Sequence, residues 1–70
     1  MAIVQFYSDD GEARLFEDEL IITLDHPKRK LHRRESTTIF RQLGFRLKKK
    51  WIKTEWGWEA KFNRIRKEAP

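Results

Sequence analysis

The stretch FRLKKKWIKTEWGWEAKF, residues 45 to 62, places three tryptophans and two phenylalanines among six basic side chains. Ammonium and guanidinium groups neutralise phosphate, and an indole face stacks on an unpaired base with about 1–3 kcal/mol per contact. Read as an extended hairpin, alternation sends Arg46, Lys48, Lys50 and Ile52 to one side and Phe45, Leu47, Lys49 and Trp51 to the other. Lys61 then faces the first group from the return arm, and Lys53 follows at the end of the outgoing one. Three like charges on alternate residues of one strand repel, so this spacing points to a polyanionic ligand. A solvated face chosen for solubility is the plain alternative. Trp58 and Trp51 belong to the core by default, since each buried aromatic contributes about 1.5–3 kcal/mol or more. Trp56, between Glu55 and Gly57 near the turn, suits either base stacking or a cover over the end of the core.

A second basic segment, PKRKLHRRE, supplies Lys28, Arg29, Lys30, Arg33 and Arg34, together with His32. If it presents the same side as residues 45–53, the two form one patch. No zinc-finger spacing, GXXG loop, aromatic RNP-type strand or helix-turn-helix accompanies it, so sequence-specific reading of bases is not implied. His26 and His32 flank one turn and could serve as an acid–base pair in metal-independent phosphodiester cleavage. Two histidines in a basic segment are more often surface residues, and the expectation is a non-catalytic protein. No metal site or cofactor is implied: Asp9-Asp10-Gly11-Glu12 is too short for an EF-hand loop, and the histidines lack a third ligand.

The acids lie elsewhere. Residues 1 to 26 carry seven acids against one base, for −6, and residues 27 to 70 carry fifteen bases against four acids, for +11. Together they give the net charge of +5. This asymmetry favours a nucleic-acid partner for the basic part. A packed domain that neutralises itself by setting acidic strands beside basic ones is the bland reading. The rival functional reading is a small protein-binding regulator whose Glu17, Asp18 and Glu19 meet a basic partner.

Seventy residues make one domain, which buries only about 60% of its unfolded surface. Without cysteine there is no disulfide or thiolate ligand. The N-terminus lacks the basic and apolar regions of a signal peptide, and neither Met1 to Val4 nor Leu20 to Ile22, the longest apolar runs of the chain, can span a bilayer. A cytoplasmic-type domain without membrane contact is expected.

The elements that must position these groups follow from pattern. AIVQFY (2–7) alternates as a strand, and Asp10-Gly11 turns it back. Residues 13–24 read as two short strands about a Glu17-Asp18 turn, with a short helix over Ala13, Phe16 and Leu20 as the alternative for the first. Pro27 makes 25–29 a turn, and KLHRRE (30–35) reads as a charged edge strand. A helix is predicted over 36–43, with Ser36 as N-cap, Gly44 as its left-handed stop, and Ile39, Phe40 and Leu43 as the buried stripe. The run from this helix through LGFRLKKKW resembles the helix-to-strand junction of the HicA-type RNA-cleaving toxins. Their Gly-Ser-His motif is missing here, and no site residue carries across.

The predicted fold is α+β: a small antiparallel sheet of about five strands, a meander plus a C-terminal hairpin, packed on one short helix. Residues 1–66 form the domain and 67–70 a frayed tail. The expected function is weakly sequence-dependent nucleic-acid binding through residues 28–34 and 46–53.

Overall fold

The computed structural model describes residues 1–65. Its architecture is α+β, with β1 (Ala2–Tyr7), β2 (Glu12–Glu17), β3 (Leu20–Leu24), α1 (Arg33–Gln42), β4 (Phe45–Leu47), β5 (Ile52–Lys53) and β6 (Gly57–Arg64). The strands form one antiparallel sheet in the order β3-β2-β1-β6-β4, with β5 also on β6. The expected tail, residues 67–70, lies outside the described residues.

Strand periodicity separates the sheet into two faces. Val4 lies in register with Leu15 on one side and Ala60 on the other, and Ala2 with Phe62. These residues and Phe6, Ala13 and Phe45 are buried on the inner face. Phe40 of α1 meets Phe62 edge-on at 5.9 Å, and Trp51 meets the same ring at 5.7 Å. Such edge-to-face pairs add about 0.5–1.5 kcal/mol beyond the area they bury. Ile3, Arg14, Ile21 and Lys61 lie on the outer face, exposed.

The first turn behaves as read, and the second lies one residue beyond the expected Glu17-Asp18. The Ser8–Gly11 loop places Gly11 at φ 63°, donating to Tyr7 O at 2.8 Å. A Cβ at Gly11 would lie 2.7 Å from Leu31 N, so the glycine also admits the loop that seats Leu31 in the core. Residues 12–17 are strand rather than helix, and Asp18-Glu19 is a two-residue turn with Asp18 at φ 51°.

Three readings need correction. Residues 30–35 are not an edge strand. His32 is extended and caps a helix that begins at Arg33, and Glu35 returns to accept from His32 N–H at 3.1 Å. The capping box is thus centred four residues before the expected Ser36. Ser36 lies inside the helix, buried, its hydroxyl donating to Arg33 O at 2.6 Å. A small, self-satisfied side chain there lets α1 approach the sheet. At the other end Gly44, at φ 100°, stops the helix as expected, with Leu43 as C-cap, but Leu43, expected in the buried stripe, is 51% exposed.

The third correction concerns the strand over 45–53, which is not continuous. Lys48 N–H still donates to Lys61 O at 2.8 Å, and Ile52 pairs with Glu59. Lys49, Lys50 and Trp51 therefore stand opposite the single residue Ala60. A bulge of this kind re-aims side chains and twists an edge. Here it turns Trp51 inward, where its indole N–H donates to Thr37 Oγ1 at 3.1 Å, and leaves Lys49 and Lys50 exposed. Lys49, expected on the inner face, is therefore outside.

Candidate nucleic-acid interface

The capping box dictates where the first turn of α1 projects its cations. Arg33 leaves the helix towards the sheet, and its guanidinium lies 3.8 Å from the centroid of the Trp58 ring. Lys53, in register with Trp58 across β5 and β6, brings its Nζ to 5.0 Å from that ring. Trp51 is the next ring, 6.0 Å from the Arg33 guanidinium. The guanidinium group is planar and stacks on indole faces, while the lysine acts as a point charge. A shallow hollow of about 430 Å³, lined by His32, Arg33, Arg34 and Trp58, opens beside this cluster. Lys30 lines an adjoining hollow that shares Arg33 and Trp58.

Chain connectivity extends the cluster. Trp51 closes the bulge, so Lys48, Lys49 and Lys50 follow immediately at the sheet edge. A band of cations thus runs from the helix N-terminus over Trp58 to the sheet edge and continues round it, where Lys49 and Lys50 line a hollow with Ile52, Glu59 and Lys61 of the outer face. Among the described residues, the ion pairs involve only Arg14 with Glu12, Arg29 with Glu35, and Arg64 and the N-terminus with Glu17. None of the band's cations has a described carboxylate partner. Among the described residues, direct pairing of bases with acids, the bland alternative, is therefore confined to a few side chains.

Arg29 is the exception within the basic segment. Its guanidinium grips Glu35 with both nitrogens, at 2.7 and 2.6 Å. The hydrogen bonds from Arg29, then that from His32 N–H, hold the Glu35 carboxyl down to about 2 from an ordinary 4.5. The hydrogen bonds to Glu35 and its negative charge raise the Arg29 guanidinium in turn. The acidic residue of the helix's first turn is thus already engaged. Lys28 and Arg34 are exposed.

The remaining basic candidates go elsewhere. Arg46 pairs with Asn63 and Lys61 with Ile3, so both stand on the outer face, together with Lys48 at its edge. Residues 28–34 and 46–53 do not present one side. They meet only along the edge formed by β5 and the bulge. Trp56 lies on the outer side, its ring 5.1 Å from Tyr7, with Arg14 a further 5.5 Å over Tyr7.

Of the acidic candidates, Glu17 is engaged by Arg64, whose Nε lies 3.0 Å away, and its side chain is 12% exposed. Asp18 and Glu19 are exposed on their turn. His26 accepts at Nδ1 from Lys28 N–H at 3.1 Å and so stabilises the loop around Pro27. Among the described residues no group of histidines and acids could hold a metal, and no helix is long and apolar enough to cross a membrane.

Sequence reasoning missed Trp58 as a surface element because parity assigned it to the core. The inner assignment is correct, yet the helix starts one turn earlier than expected and covers the ring with a cation instead of an apolar side chain. The signal was present: His32 followed three residues later by Glu35, the spacing of a capping box. Comparison with protein-family models, with curated proteins and with solved structures finds no match.

Proposed function

We propose that this protein binds nucleic acid without catalysis and with weak sequence dependence, through the band formed by Lys30, Arg33, Arg34 and Lys53 about Trp58 and continued at the sheet edge by Lys48–Lys50. The observation that carries the reading is the Trp58 ring, flanked by Arg33 at 3.8 Å and Lys53 at 5.0 Å, with no described carboxylate paired to either cation. Phosphates take the cations, and an unstacked base takes the hollow beside the indole. The volume of that hollow falls in the range of small-ligand sites, about 300–1,000 Å³. The band holds cations and indoles but no asparagine or glutamine, and the Arg33 guanidinium lies on Trp58, so contacts to phosphate and stacking outweigh reading of base edges and the binding is weakly sequence-dependent.

The test is a tryptophan-fluorescence titration with short single- and double-stranded DNA and RNA at several salt concentrations. A Trp56→Phe background removes the indole that lies away from the band. Saturable quenching is expected, with log affinity falling linearly in log salt by about 0.7–0.9 per phosphate contacted. Lys50→Glu with Lys53→Glu abolishes it, whereas Asp18→Lys with Glu19→Lys leaves it intact or tightens it. No binding at low salt refutes the reading. The opposite pattern, loss only with Asp18 and Glu19, transfers the function to a protein partner met by the acidic turn.

A further inference from the structure

β3 is an edge strand, and its five residues, Leu20-Ile21-Ile22-Thr23-Leu24, carry no charge, proline or glycine. Sheet edges are ordinarily blunted by lysines, prolines or bulges, because an open ladder templates pairing with another chain. The far side of this sheet obeys that rule, with the lysine-bearing bulge between β4 and β5. β3 does not. Its turn closes on Glu17 and Leu20, and a two-residue hairpin loop closes on a hydrogen-bonded pair. The N–H and C=O groups of Ile21 and Thr23 therefore point away from β2. No described turn or loop bonds to them. Ile21 is 61% exposed and stands in register with Phe16, which stands in register with Ile3, so an apolar row reaches this edge on the outer face. On the inner face Leu20 is 40% exposed.

We propose that β3 pairs antiparallel with β3 of a second copy of this chain, with Ile21 on the two-fold axis. Self-complementarity and charge together select the copy and the register. Centring on Ile21 sets Ile21 against Ile21, Leu20 against Ile22, and Glu19 against Thr23. It joins the rows of Ile3, Phe16 and Ile21 from both copies into one stripe. Centring on Ile22 instead sets Glu19 against Asp25, and like charges directly opposite are unfavourable. Ile21 faces Ile21 as a hydrogen-bonded pair in the first register. Because the opposite edge is bulged and charged, the assembly closes at two copies instead of continuing as a fibre.

Sedimentation of the full chain over a range of concentrations tests this, with circular dichroism to confirm folding. A concentration-dependent dimer is expected. Ile21→Lys raises its dissociation constant about tenfold or more, since two ammonium groups then meet on the axis. Thr23→Pro has the same effect through the ladder, because that N–H is not used within the monomer. In this cysteine-free chain Ile21→Cys forms an intermolecular disulfide on oxidation, the Cα atoms of such a pair lying about 5.5 Å apart. Ile22→Cys does not. A monomer at every concentration, a dimer indifferent to Ile21→Lys and Thr23→Pro, or cross-linking through Ile22→Cys would overturn the proposal. No nucleic acid enters the experiment, so its outcome is independent of the binding reading.

Discussion

Glu35 joins two tasks at the start of α1: it accepts from the N-cap amide of His32 and it holds the Arg29 guanidinium. Both contacts favour the charged carboxylate, so its folded-state value of about 2 lies below the unfolded 4.5. The sign follows from that order. The stabilisation from this group is complete above 4.5 and is lost as pH falls from 4.5 through 2. NMR titration should place the Glu35 midpoint near 2, and Arg29→Gln should raise it towards 4.5. A midpoint that stays low in the variant would show the His32 amide to be the sufficient cause. Arg33 acts differently. A cation over an indole at a partly exposed site is worth about 0.5–1 kcal/mol, so Arg33→Gln should leave the fold intact and change the emission of Trp58. Gly11→Ala should be worse than Arg33→Gln for stability. It forces a Cβ into the loop at Lys30 and Leu31 at a positive φ, and thermal melts of the two variants compare them directly.

At the scale of elements, the bulge and the helix start decide where the chemistry sits. Three residues opposite one break the alternation that a continuous strand would impose, and the break sends Trp51 to Phe62 and Thr37 while exposing Lys49 and Lys50. Trp51→Phe keeps the ring in the core and removes the indole donor, leaving Thr37 to seek another partner. A loss of about 0.5–1.5 kcal/mol in denaturant unfolding is expected for that hydrogen bond. A strand that re-registers would instead also change the protection of the Lys48 amide in hydrogen exchange. The sequence marked this segment as a hairpin, and a hairpin it is. Its interior irregularity is invisible to pattern, because a run of lysines carries no apolar periodicity that could report a slip.

At the scale of the molecule, the six strands and one helix of the described residues share a core built largely from Val4, Leu15, Phe40, Phe45 and Phe62. A chain of this size has about 4–10 kcal/mol of stability. Removing an aromatic ring at the centre costs about 3–5 kcal/mol. Phe62→Ala, which strips the ring that Phe40 and Trp51 both meet, should therefore remove about half or more of the stability, read as a large fall in the denaturant midpoint followed by near-ultraviolet dichroism. Salt separates the two proposed associations at this scale. Rising ionic strength weakens nucleic-acid binding through counterion release. It screens the acids that flank β3, so the dimer should strengthen, and sedimentation at low and high salt reads the difference.

The amino-acid sequence alone determined the α+β class, the three-stranded meander, the Asp-Gly turn and the Gly44 stop, because alternation and turn chemistry act over a few residues. It also determined that the basic charge lies in the second part of the chain. What only the tertiary structure decided is which cations share a surface. His32 and Glu35 compete with strand propensity in KLHRRE, and the helix wins because Leu31, just before its cap, seats in the core and its first turn lays Arg33 on Trp58. The bulge needs Phe62 and Thr37 as partners for Trp51, residues distant in sequence that no local pattern connects to it. The open edge of β3 has the same origin, since whether a strand is central or peripheral depends on the pairing order of the whole sheet.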